Sequence, residues 1–179
     1  MKTLFVVRHA KARGQEFDAQ LTEEGRKQAS QLAYFLAPYT VERIISSPFV
    51  RAKETITPFA QIKGIPIELD DRLGERVLSD TTLEGWKEKL RESFDDFSLK
   101  FPGGESNEEG LGRVKHLMND LLNAPEKTFV LVSHGNLTTL ILNFFDQTYG
   151  YDHLMQLTNP DVFQIDMNKE GADIKRIWS

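Results

Sequence analysis

The 179-residue sequence contains no cysteine. A disulfide framework, a zinc–thiolate centre and a thiol nucleophile are excluded, and a cytoplasmic protein fits that absence. Long hydrophobic runs are missing as well. None approaches the roughly 20 apolar residues of a membrane span. Leu4-Phe5-Val6-Val7 is shorter than the apolar core of about 7–15 residues in a secretory leader, so a buried strand is expected there. Basic charge is not in excess, since 22 Lys and Arg face 27 Asp and Glu for a net charge of −5. That balance argues against nucleic-acid and membrane-surface partners. With no repeat, low-complexity tract or linker, one domain over residues 1–179 is expected.

What is there has the composition of a globular domain, 40% hydrophobic and 27% charged. Thr3–Val7 and Thr128–Val132 are apolar at every position but the first, the pattern of central strands covered on both faces. Val41–Ser46, Ile67–Leu69, Val162–Met167 and Ile174–Trp178 read as further strands. Between them, helices are marked by apolar spacing and caps. Thr22 precedes Glu23, Glu24 and the face Ala29, Leu32, Ala33, Leu36. Ser106 and Glu109 form a capping box before Val114, Leu117, Met118 and Leu121. A second capping box at Thr81 and Glu84 predicts a helix carrying Leu83, Trp86, Leu90, Phe94 and Phe97. Other helices begin near Phe49 and after Asn136. Strands alternating with helices predict an α/β fold, a three-layer α/β/α sandwich with a mostly parallel central sheet.

In such sheets chemistry collects at the carboxyl ends of the strands. His9 follows the first strand and His134 the strand at Thr128–Val132. Arg8 adjoins His9, Arg51 lies in the first turn of the helix after the second strand, and Glu75 follows the third. This set suits a phosphoryl group. Arginine forks pair with phosphate oxygens, helix N-termini add N–H donors, a neutral imidazole can attack phosphorus, and a carboxylic acid can protonate a departing oxygen. Glu105 and Glu109 also flank the expected mouth. His116, within a helix, and His153, in a loop, read as ordinary surface or packing residues. No HExxH pair, aspartate-rich loop or thiol suggests a metal or other cofactor.

Six segments in order resemble the histidine phosphatase superfamily, whose founding members are the cofactor-dependent phosphoglycerate mutases. They are Leu4–His9, Leu21-Thr22-x-x-Gly25-x-x-Gln28-Ala29, Ser46-Ser47-Pro48-x-x-Arg51-Ala52-x-Glu54-Thr55, Leu73-x-Glu75, Pro102–Ser106 and Ser133-His134-Gly135. The resemblance implies a phosphoglycerate mutase-like fold and a metal-independent phosphatase. It implies His9 as nucleophile, Arg8 and Arg51 as phosphate clamp, His134 as the second histidine of the phosphate pocket, and Glu75 as acid and then base. Those roles imply a bell-shaped rate profile on the acidic side of neutral. Residues 76–107 are expected to cover the site as a lid, which favours a small phosphorylated metabolite as substrate. Phosphohistidine on a protein, a mutase reaction and a non-catalytic phosphate-binding module are the alternatives. One departure from the pattern is Ala10, where the family has glycine; alanine fits there only if the backbone is not left-handed.

Overall fold

Along the strand Lys2–Arg8 (β1), Leu4 and Val6 enter one apolar cluster and Phe5 and Val7 another, on opposite faces of the sheet. Thr128–Ser133 (β4) divides in the same way, Phe129 and Leu131 against Val130 and Val132. A strand apolar on both faces has to be covered on both, and that requirement sets the three layers. The computed structural model describes residues 1–179. The remaining strands are Arg43–Ser46 (β2), Ile67–Leu69 (β3), Asp161–Asn168 (β5) and Gly171–Arg176 (β6). They form one six-stranded sheet in the order β3-β2-β4-β1-β5-β6. The pairings β3–β2, β2–β4 and β4–β1 are parallel, and β5 runs antiparallel to both β1 and β6.

Helices Glu23–Leu36 (α1) and Val50–Lys63 (α2) cover one face, through Leu32, Ala33, Leu36, Ala52, Ile56 and Phe59. Asn107–Asn123 (α4) and Gly135–Phe145 (α5) cover the other, through Val114, Leu117, Met118, Leu137, Leu140 and Ile141. Trp86–Asp95 (α3) and Tyr151–Gln156 (α6) complete the set. The caps at Thr22 and Ser106 stand as expected, Ser106 and Glu109 in a reciprocal capping box.

Three local expectations are corrected. The capping box at Thr81 and Glu84 does not form. Ser79 Oγ takes the Thr81 N–H and bonds the Pro102 carbonyl, a local turn that competes with helix. Helix α3 therefore starts only at Trp86, behind a left-handed Gly85 without a side-chain cap. His153 lies in α6 rather than in a loop, where its Nδ1 accepts the Gly150 N–H at 3.2 Å. Six residues are too few to show a helical period. The last strand is Gly171–Arg176 rather than Ile174–Trp178, because Trp178 leaves the sheet to meet Phe35 edge-on at 5.3 Å.

Candidate active site

Strand register brings the two histidines together. Arg8 pairs with Ser133 in the β1–β4 ladder, so His9 and His134 are the next residues out, side by side at the carboxyl edge. The His9 N–H continues the ladder to the Ser133 carbonyl at 3.1 Å. The imidazole centroids are 5.1 Å apart and nearly edge-on. Ser46 of β2 pairs with Val132, which puts Ser47 at the same edge and Arg51 in the first turn of α2.

The His9 tautomer follows from its partners. Nδ1 bonds the Ala10 carbonyl at 2.7 Å, and Arg51 Nε donates to Nε2 at 3.2 Å. A guanidinium can only donate and a carbonyl only accept, so the proton sits on Nδ1 and the lone pair on Nε2. Burial pulls this imidazole down to about 4, a direction that the nearby Arg51 and Arg8 charges reinforce. His9 is therefore neutral across the physiological range, with its Nε2 lone pair free of protons.

His134 is 1% exposed and is also held well below the ordinary histidine range, first by burial and then by the charges of its neighbours. Its Nε2 lies 2.8 Å from Ser47 Oγ, which also accepts the Phe49 N–H. Its Nδ1 is buried and has no partner in the protein. Arg8 is similar. Its Nη1 bonds the Leu157 carbonyl, while its buried Nε is unpartnered. Arg51, 1% exposed, gives Nη1 to the carbonyls of Gln15 and Glu16 and lies over the Phe49 ring. Buried donors without acceptors cost on the order of 1–3 kcal/mol each. Arg8 Nε is such a donor, in a residue whose charge acts on His9, and an anion's oxygen would satisfy it.

Glu75 stands at the N-terminus of α5. Its Oε1 accepts from Arg76 N (2.9 Å) and Leu137 N (3.0 Å), and its Oε2 accepts from Asn136 N at 3.0 Å. The α5 donors expected to serve a phosphate thus serve Glu75 instead. The Glu75 charge in turn partly offsets the burial that lowers the Arg8 and Arg51 guanidiniums. The rival carboxylates are committed elsewhere. Glu105 pairs with Arg113 at 2.6 Å, and Glu109 caps α4 and meets Lys100. His116 is exposed on α4. The five residues His9, His134, Arg8, Arg51 and Glu75 share one neighbourhood.

The sequence segments have local reasons. Ala10 is fully buried against Leu21 and Ala29 with no positive φ, so alanine replaces glycine without backbone strain. Its N–H goes to Thr55 Oγ1 at 2.9 Å. Gly25 allows α1 to approach the loop after His9, since a Cβ there would fall 2.1 Å from the Lys11 carbonyl oxygen. Gln28 then holds the Lys11 N–H at 3.0 Å. Sequence reasoning passed over Arg76, Asn136 and Asn159, whose amide holds the His9 carbonyl at 3.0 Å. Ser47 and Thr55 lay inside a recognised segment, but their partners 87 and 45 residues away were invisible.

A neutral, lone-pair-bearing histidine between two arginines and a second histidine, at the carboxyl edge of a mostly parallel sheet, defines a phosphoryl-handling α/β protein. The model of the histidine phosphatase superfamily (branch 1) matches residues 4–178. The chain belongs to that family and is an enzyme of the phosphoric monoester hydrolase type. It is 30% identical to a probable phosphoglycerate mutase, GpmB, of Enterobacter sp. (strain 638), over 93% of this chain and 85% of that one. It is equally similar, at 30%, to a putative phosphoserine phosphatase 2 of Hydrogenobacter thermophilus, over 97% and 94%. Among solved structures, Bacillus stearothermophilus YhfR superposes with a TM-score of 0.79 at 25% identity, over 98% and 96% of the two chains. The fold is also shared with an Entamoeba histolytica phosphoserine phosphatase solved with phosphoserine, at a TM-score of 0.80 and 21% identity over 97% and 95%.

Proposed function

We propose that the chain is a cytoplasmic, metal-independent phosphatase that hydrolyses small-molecule phosphomonoesters through a phosphohistidine on His9. The observation that carries this reading is the unprotonated His9 Nε2 beside Arg8 and His134, each of which keeps a buried nitrogen without a partner. In the first step the Nε2 lone pair forms the N–P bond, and the bond from phosphorus to the leaving oxygen breaks. Arg8, Arg51 and His134 bear the charge on the transferring oxygens, and the Glu75 carboxyl gives the leaving oxygen its proton. A phosphomonoester monoanion brings such a proton, since its second ionisation falls at about pH 6. In the second step the Glu75 carboxylate takes a proton from water, the water oxygen bonds phosphorus, and the N–P bond breaks to return the lone pair to Nε2.

Residues 76–107, within a single domain 1–179, form the lid of this reading. Their fastening beside Glu75, through Arg76, supports it. A second reading has a specific observation in its favour. None of the five principal cavities is lined by His9, Arg51 or Glu75. A reaction centre outside these cavities suits a phosphohistidine presented by another protein.

Turnover of p-nitrophenyl phosphate and a panel of phosphometabolites, with EDTA present, tests the proposal against a phosphohistidine peptide. Chelator-resistant hydrolysis of a metabolite, lost in His9→Ala, is expected. Exclusive turnover of the phosphopeptide would transfer the assignment to the second reading, and full activity in His9→Ala would overturn both.

A further inference from the structure

Arg76 is a buried charge that the reaction scheme leaves unused. It follows Glu75 directly and is 2% exposed. It enters no ion pair, because the Glu105 carboxylate is taken by Arg113 and the Glu75 carboxylate by main-chain N–H groups. Instead its fork reaches in two directions. Towards the 76–107 segment, Nη1 donates to the Glu105 carbonyl at 3.0 Å and Nη2 to Ser93 Oγ of α3 at 3.1 Å. Towards α5, Nη2 donates to Asn136 Oδ1 at 3.3 Å. Its Nε has no partner, and its Cζ lies 5.9 Å from the centre of the Phe94 ring. Burying a cation outside an ion pair is expensive, and the nearby charges of Glu75 and Glu105 offset only part of that cost.

Asn136 completes the connection. Its main-chain N and Nδ2 donate to Glu75 Oε2 at 3.0 and 3.4 Å, while its Oδ1 accepts from Arg76. Only one orientation of the amide serves both neighbours, since arginine can only donate and a carboxylate only accept. Arg76 therefore selects the amide orientation that presents N–H to Glu75.

We infer that Arg76 is a positioning residue for proton transfer, which fixes the Glu75 carboxyl through Asn136 and ties that fixation to the seating of the 76–107 segment through Ser93 and Glu105. The inference rests on the reading of Glu75 as the acid. A seated segment keeps the Asn136 amide donating to Glu75 Oε2, and a displaced one removes that donor and leaves the carboxyl to the main-chain N–H groups of Arg76, Asn136 and Leu137. Proton delivery is thereby coupled to closure.

The leaving group reports on this. When the bond to the leaving oxygen breaks, an alkoxide or phenolate needs a proton, whereas dinitrophenolate departs without one. The ratio kcat/KM ends at that bond cleavage and does not include hydrolysis of the phosphoenzyme. It is measured for phenyl phosphate and 2,4-dinitrophenyl phosphate in the full chain, in Glu75→Gln, Arg76→Lys and Asn136→Ala. Lysine keeps the charge without the fork, Asn136 is only half-buried, and thermal melts establish that both variants are folded before their kinetics are compared. Glu75→Gln is expected to lose about 100-fold on phenyl phosphate and under about tenfold on the dinitrophenyl ester. Arg76→Lys and Asn136→Ala are expected to show the same signature at smaller amplitude, about tenfold against about twofold. Equal losses on the two esters, or none, beside a leaving-group-dependent Glu75→Gln would overturn the inference and leave Arg76 a packing residue. A Glu75→Gln loss that ignores the leaving group would instead overturn the acid assignment, and the inference with it.

Discussion

The two regions around the reacting atoms are held by different means. His9, His134 and Ser47 stand at the ends of strands whose main-chain ladders position them within hydrogen-bond geometry. The 76–107 segment contains no strand. It is fastened by side chains and by scattered main-chain bonds outside any ladder: the Arg76 fork, Asn107 on the Ser93 carbonyl, and the Glu105 N–H on the Val77 carbonyl at 2.8 Å, beside Gly104, whose missing Cβ leaves room for the Leu78 carbonyl. Ladder bonds come in series and fail together, whereas the segment can release a few bonds without disturbing the sheet. For the proposed reaction such a division would provide a rigid nucleophile beside a releasable cover.

Variants on each side should separate the two. The largest effect belongs to the strand-end site. His9→Ala should lower kcat/KM by at least 10³-fold, roughly 4 kcal/mol of barrier, while the thermal melt stays close to that of wild type. In the sheet itself, Phe129→Ala removes a fully buried ring and should destabilise the fold by about 3–5 kcal/mol in denaturant titration. The contrast sharpens at Trp86 in the other region, which is 51% exposed.

Acid should act on the strand-end site as well. The fold holds the His9 imidazole at about 4, below its unfolded value of 6.5. Between those values the unfolded chain binds a proton that the folded one refuses. Stability is therefore unaffected by His9 above pH 6.5 and falls as the pH drops towards 4, by about 3 kcal/mol from this residue. His134, lowered in the same direction, steepens the loss. His9→Asn should flatten the decline of stability measured from pH 7 to 4. In the same range kcat/KM should hold until the pH nears 4, because the nucleophile remains neutral until then. An acid limb at pH 6.5 would contradict the buried, neutral His9.

Smaller effects mark the insert. Ser106→Ala removes the cap of α4 and should cost about 1 kcal/mol. Trp86→Ala should change stability by only about 0.5 kcal/mol, since a half-exposed ring has little buried area to lose. A Trp86 loss comparable with that of Phe129 would erase the distinction between the two regions.

The same division governs what could be read from the sequence. Apolar runs ending in His9 and His134, and the cap at Thr22, are local signals, and each led to the correct element. Arg51 and Glu75 were legible because they follow strands and lie in segments of fixed spacing. The Arg76–Asn136 and Asn159–His9 hydrogen bonds span 60 and 150 residues, and such bonds leave no period in the chain. Helix α3 began late because Ser79 diverted the Thr81 N–H, a competition between two polar groups that a capping pattern does not display.

The central claim is that His9 Nε2 carries the phosphoryl group. The direct test is rapid quench of the full-length enzyme with a ³²P-labelled phosphomonoester and EDTA, under alkaline conditions, followed by peptide mapping. An acid-labile, base-stable label on the peptide containing His9, absent in His9→Ala, is the predicted result. Continued turnover with no label on that peptide, or a label that survives in His9→Ala, would contradict the claim.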